Sequence, residues 1–140
     1  MLLLLMIVLA LTVASTPLLD RLLGRNAGWP VAAVFLGLAV LVAAQAPQVL
    51  GAGVPLEFSR PWMPQIGVSL HLRMDGLGWL FTMLVTGIGA LIMAYSTRYF
   101  PPGRRLGFYF LMSLFALAMT GLVLADDVVL LFVFWELTTI

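Results

Sequence analysis

The chain has 140 residues, of which 63% are hydrophobic and only 9% charged, with a mean hydropathy of +1.13; soluble domains carry about a quarter charged residues, so this is an integral membrane protein. Its net charge of +1 comes from seven arginines and six acids with no lysine, and no basic run could track a nucleic-acid backbone, so nucleic acid is excluded as a partner. The absence of cysteine and the single histidine, His71, exclude disulfides, thiol chemistry and a multi-histidine haem or metal centre within the chain, and no cofactor or metal is expected.

The first apolar run, residues 1–19, is long enough to span a bilayer. Ala14, Ser15 and Thr16 resemble a signal-peptide cleavage region, but no basic side chain precedes Arg21, so a retained first helix is expected. Pro17 is expected to loosen its last turn. Residues 20–28 then form a short polar connection carrying Arg21 and Arg25. Gly24 and Gly28 have GxxxG spacing, but Arg25 and Asn26 lie between them, so no helix-dimer face is expected there.

The second helix is expected over residues 29–50, with Trp29 as an interfacial anchor and Pro30 in its first turn. Residues 51–75 switch to period-two patterning. Val68, Leu70, Leu72 and Met74 alternate with Ser69, His71, Arg73 and Asp75, and Val54, Leu56 and Phe58 alternate with Glu57 and Ser59. The pattern predicts a short β-hairpin on the membrane surface, its strands joined through PWMPQIG. His71 falls on the polar face, where solvation is its expected state, and Arg73 and Asp75 are expected to form an exposed ion pair.

The third helix is expected over 76–97, with Gly87, Ala90 and Ala94 on a face that another helix could approach. A basic connection follows, in which Pro101, Pro102 and Gly103 interrupt the helix among Arg98, Arg104 and Arg105. A fourth helix is expected over 107–124, and Ala125, Asp126 and Asp127 turn into a fifth over 127–140. About five spanning helices thus form one bundle over residues 1–140, the fifth incomplete at Ile140. Five of the seven arginines lie in the first and third connections. By the positive-inside rule, the N-terminus and hairpin should lie outside and the arginine-rich connections in the cytoplasm.

The fifth helix holds the candidate functional residue, Glu136, the one carboxylate inside an otherwise apolar run. Nine residues beyond Asp127, it lies about 14 Å along a helix, near the middle of a hydrocarbon layer about 30 Å thick. Placing a charge there costs about 2.5–3.5 kcal/mol on insertion scales, so an intramembrane acid is a functional-site candidate. Desolvation favours the neutral carboxyl and a nearby cation favours the carboxylate, so moving a cation past Glu136 would load and unload a proton. The competing reading is a structural glutamate that fixes helix packing in a membrane scaffold.

The segments RMDGL at 73–77, GIGALIMAYSTRY at 87–99, LVLADD at 122–127 and FWELT at 134–138 together resemble the N-terminal part of the antiporter-like subunits. These are shared by Mrp multisubunit sodium/proton antiporters, respiratory complex I and membrane-bound hydrogenases, and FWELT is most similar to the large A-type subunit of the Mrp antiporters. The resemblance implies a bundle of about fourteen helices, of which this chain would supply the first five. It also implies a component of a secondary Na+/H+ transporter in a bacterial cell membrane, working with companion subunits rather than as an enzyme. In that family the glutamate of the WEL segment pairs with a lysine on a later helix, and on this chain only Glu136 matches a proton-path residue. Many relatives have asparagine where this chain has Asp127, which is expected to be a solvated acid at a helix N-terminus. A chain ending in mid-helix would be a piece of a longer subunit or one part of a split one. The alternative is the proton-pumping membrane part of a redox-driven complex, with every redox centre in other subunits.

Overall fold

A computed structural model of the chain describes residues 1–101 and 105–139. The parts of the basic connection at Pro102, Gly103 and Arg104, the side chains of Arg105 and Leu106 and the terminal Ile140 lie outside the described residues. In chain order the elements are α1 (Leu2–Leu23), a 3-10 turn (Gly24–Asn26), α2 (Gly28–Ala44), a π-helical turn (Pro47–Gly51), β1 (Leu56–Met63), a second 3-10 turn (Pro64–Ile66), β2 (Val68–Met74), α3 (Gly76–Tyr99), α4 (Arg105–Leu124) and α5 (Val128–Thr138). Among the described residues, four helical stretches are long and apolar enough to cross a membrane: Leu2–Asn26, Gly28–Gly51, Gly76–Tyr99 and Gly107–Leu124. The chain is a multi-pass membrane protein, mostly helical, with one two-stranded antiparallel hairpin.

The first helix differs from expectation at its end. It continues through Pro17 to Leu23 and takes in Asp20 and Arg21, which the sequence pattern assigned to a loop. Proline removes the N–H that would reach the carbonyl of Val13. The hydroxyl of Thr16 donates to that carbonyl instead, at 2.7 Å. Thr12 and Ser15 donate likewise to Val8 O and Thr12 O, at 2.7 and 2.9 Å. Ser and Thr side chains are how a spanning helix re-satisfies backbone groups that a proline frees. The helix stops at Gly24, whose φ of +53° suits glycine and whose N–H returns to Asp20 O.

Helix α2 packs along α3, and α1 and α5 pack on α4. Phe35, 1% exposed, fills the α2–α3 contact so closely that a Cβ built on Gly89 would stand 2.6 Å from its Cδ1. The predicted small-residue face is therefore shifted. Ala90 is buried as expected, but Gly87 has nothing within 4 Å of a built Cβ, and Gly89 is the close-approach residue. Gly28 also matters for packing, although not in a GxxxG dimer: a Cβ there would lie 2.5 Å from both Thr97 and the Tyr109 hydroxyl. Trp79 Nε1 donates to Val42 O at 2.7 Å and ties α3 to α2 near the hairpin end.

The hairpin follows the predicted alternation, with its crossing shorter than expected. Strand β1 runs on to Met63, so only Pro64–Gly67 turn the chain, with Gly67 at φ +72°. Leu72 and Met74 of β2 are buried with Leu2, Leu124 and Leu130 in a small core that seats the hairpin on the ends of α1, α4 and α5. The larger core, around Leu5, Leu9, Val31, Phe35, Met93 and Tyr109, lies within the bundle. Arg25, Asn26, Trp29 and Arg98 line a cavity at the end away from the hairpin.

Candidate proton-path site

The site is built from the α4–α5 turn upward. Asp127 has extended backbone, and its carboxylate accepts from the N–H groups of Val129 and Leu130 at 2.9 and 3.3 Å. That caps α5 and places a negative charge where a helix N-terminus favours it. Helix α5 then leans on α4 through Leu130 and Phe134. The Phe134 ring lies so close to Gly121 that no side chain fits at that glycine.

Glu136 sits nine residues past the cap in one unbroken helix. It is exposed, on the face turned away from the Leu130–Phe134 contact. Its apolar neighbours one turn back are Phe132 and Val133, also exposed. Among the described residues no group pairs with its carboxylate; its backbone oxygen accepts from the Thr139 hydroxyl at 2.7 Å and from the Thr139 N–H at 3.2 Å. A lone carboxylate on the outer face of an apolar helix can exchange a proton, and a cation packed against it could control that exchange.

The turn that carries α5 is itself held by the hairpin, a connection not foreseen from sequence. The Asp126 N–H donates to His71 O at 2.9 Å, Leu72 forms a β-bridge with Ala125, and His71 Nδ1 lies 3.5 Å from Asp126 Oδ2. His71 is thus half-buried beside an acid rather than freely solvated. The expected Arg73–Asp75 pair is also replaced. Arg73 faces Glu57 across the strands, Nε to Oε1 at 3.9 Å, because the antiparallel register sets those two residues opposite each other. Asp75 instead caps α3, accepting from the Gly78 N–H at 2.8 Å.

Three buried hydroxyls also escaped the sequence reading. Thr82 on α3 and Ser113 and Thr120 on α4 have side-chain oxygens with no hydrogen-bond partner among the described residues. The other buried Ser and Thr hydroxyls of the spanning helices return to carbonyls of their own helix, as Thr86 does to Thr82 O and Ser96 to Ile92 O. The seven-residue spacing of Ser113 and Thr120 was the available signal. Among the described residues no group of three or more potential metal ligands exists.

Residues 62–110 match the family model described as the N-terminus of chain 5 of NADH-ubiquinone oxidoreductase (complex I). The A1 subunit of the Na(+)/H(+) antiporter of Staphylococcus aureus is 37% identical over 125 residues, which is 88% of this chain. The same subunit from S. aureus strain N315 is 48% identical over 79 residues, 56% of this chain and 10% of the relative. Among solved structures, a chain of the Mrp complex from Dietzia sp. DQ12-45-1b superposes with a TM-score of 0.86 at 50% identity, over 99% of this chain and 15% of that one. A chain of an archaeal membrane-bound sulfane sulfur reductase shares the fold, with a TM-score of 0.82 at 21% identity, over 98% of this chain and 28% of that one. The chain spans 16% of the length of the first of these curated relatives. In sequence and in fold, it belongs to the antiporter-like family of membrane subunits, and within that family it matches the N-terminal portion of the large A-type subunit of Mrp sodium/proton antiporters.

Proposed function

We propose that the chain is a component of a multisubunit cation/proton antiporter that exchanges sodium for protons across a bacterial cell membrane. Glu136 serves as a proton carrier on α5. The observation that carries this reading is the lone carboxylate in an apolar helix, presented outward and unpaired within the described residues. The 50% identity to a chain of the Mrp complex supports the companion subunits, and the 37% identity to a Na(+)/H(+) antiporter subunit supports the ion chemistry. Among the described residues no cation pairs with Glu136, so in this reading the cation that gates it comes from elsewhere in the assembly. When that cation approaches, the carboxylate form is favoured and the proton leaves; when it withdraws, Glu136 takes up a proton.

The N-terminus and hairpin lie outside in this reading. Support comes from the charge distribution, with Arg21, Arg25 and Arg98 at the end of the bundle away from the hairpin. The fold shared with the sulfane sulfur reductase and the complex I match favour a second reading, a proton-translocating part of a redox-driven complex. Sodium-dependent proton movement by the whole assembly, compared between wild type and Glu136→Gln, tests the first reading. A proton flux that follows an electron donor and ignores sodium would favour the second.

A further inference from the structure

The end of the bundle away from the hairpin carries a cleft that the transport reading does not use. A cavity of about 220 Å³ lies between the 3-10 turn after α1 and the last turn of α3, lined by Arg25, Asn26, Trp29, Thr97 and Arg98. Both arginines are exposed, and neither is paired among the described residues, whose ion pairs, His71–Asp126 and Arg73–Glu57, both involve the hairpin. Asp20, at the same end, bonds to neither. Each guanidinium sits where a helix C-terminus favours a cation, Arg98 in the last turn of α3 and Arg25 in the turn that ends α1. Helix termini do not account for the two lining one cleft together with an amide.

The surroundings fit a lipid. Trp29, Thr97 and Arg98 also line an adjoining groove of about 490 Å³ with Tyr95 and Tyr99. Trp29, Tyr95 and Tyr99 are 51%, 69% and 64% exposed, as aromatic side chains at a membrane interface are. Ile88, Ile92, Tyr95 and Tyr99 recur at helical spacing down one side of α3. Ile88 and Ile92 open on an apolar cavity of about 230 Å³ beside Phe35 and Phe115. Ile88 is ten residues from Arg98, about 15 Å along the helix, which is about half of a hydrocarbon layer. An acyl chain whose phosphate sat at Arg98 would therefore end near that cavity.

We propose that the Arg25–Arg98 cleft binds the phosphate of an anionic phospholipid whose acyl chain descends the outer side of α3 to the cavity beside Phe35. Guanidinium groups hold phosphate oxygens by paired N–H donors, the Asn26 amide supplies a further donor, and two positive charges select a lipid of net negative charge. The bound lipid would lie beside the end of the α2–α3 contact where Gly28 packs on Thr97.

The test uses the whole native assembly in phosphatidylcholine vesicles containing a photoactivatable phosphatidylglycerol, with crosslinks mapped by mass spectrometry. Crosslinks should concentrate on the 3-10 turn and the end of α3. Unlabelled phosphatidylglycerol should compete for them, and neither phosphatidylcholine nor inorganic phosphate should. The double variant Arg25→Gln/Arg98→Gln should weaken the competition about thirtyfold, which is about 2 kcal/mol at about 1.4 kcal/mol per tenfold and corresponds to two arginines near a lipid surface. Arg73→Gln, at the opposite end, should leave it unchanged. Labelling spread evenly over the lipid-facing helices, equal competition by phosphatidylcholine, or undiminished binding by the double variant would overturn the proposal. Competition by inorganic phosphate would also overturn it, by revealing a small-anion site. If the double variant fails to assemble, the wild-type competition pattern alone decides.

Discussion

Two glycines on α3, two residues apart, should respond oppositely to the same methyl group. At Gly89 a built Cβ lies 2.6 and 2.8 Å from Phe35 Cδ1 and Cε1, well inside van der Waals contact, so the buried Phe35 ring, 1% exposed, must shift before the methyl group fits. Overpacking a filled core typically costs about 1–3 kcal/mol. Alanine also gains about 1 kcal/mol over glycine in helix propensity, which offsets part of that cost. At Gly87 a built Cβ meets nothing within 4 Å, so only the propensity gain applies. The gain cancels in the difference, and Gly89→Ala should be less stable than Gly87→Ala by about 1–3 kcal/mol. SDS-induced unfolding of the purified assembly, followed by α-helix content or by subunit retention, measures it. Adding Phe35→Leu should recover part of the Gly89→Ala loss while leaving Gly87→Ala unchanged, because contacting residues couple and separated ones add. Equal stability of the two alanine variants, or no rescue by Phe35→Leu, would refute the close packing of α2 on α3.

Three further outcomes follow from the local geometry. Thr16→Val should destabilise α1 by about 0.5–2 kcal/mol, because Val13 O then loses the donor that stands in for the missing Pro17 N–H, and adding Pro17→Ala should restore most of it; the same SDS titration reads both. Asp127→Ala should cost about 1 kcal/mol and raise amide exchange in the first turn of α5, whereas Asp127→Asn, which keeps a capping oxygen, should be nearly silent in the same hydrogen-exchange experiment. His71→Ala should cost less than about 1 kcal/mol, since its side chain makes only a long, partly exposed 3.5 Å contact with Asp126 and the Asp126 N–H to His71 O bond still docks the hairpin; thermal unfolding checks this.

Hydropathy and period made much of this fold legible. Four apolar stretches became spanning helices, the alternation from Val68 to Met74 became β2, and Asp127 at the head of an apolar run became the cap of α5. Features that depend on two distant segments were not legible. Small residues mark a helix face, but which of them meets a neighbour depends on where Phe35 of α2 falls against α3, and the relative slide of two helices leaves no periodic trace in either. Arg73 and Asp75 are close in sequence, yet the antiparallel register turns Arg73 toward Glu57, and the start of α3 draws Asp75 into a cap. Pro17 read as loosening the last turn because a proline is weighed by the bond it removes, whereas the replacement donor is its neighbour Thr16. His71 read as solvated because nothing local announces that the α4–α5 turn folds back over β2. Glu136 was conspicuous in the sequence for its chemistry, a single acid in an apolar run. Its outward presentation emerges only once Leu130 and Phe134 are seen to take the contact with α4.

The most direct test of Glu136 as a proton carrier is sodium-dependent collapse of a proton gradient in inside-out vesicles bearing the whole native assembly, with wild type and Glu136→Gln compared at matched assembly. A proton-carrying Glu136 predicts a sodium response in wild type that is lost in Glu136→Gln while every subunit is retained, because the amide keeps the shape and cannot carry the proton. An unchanged sodium response in Glu136→Gln would contradict it.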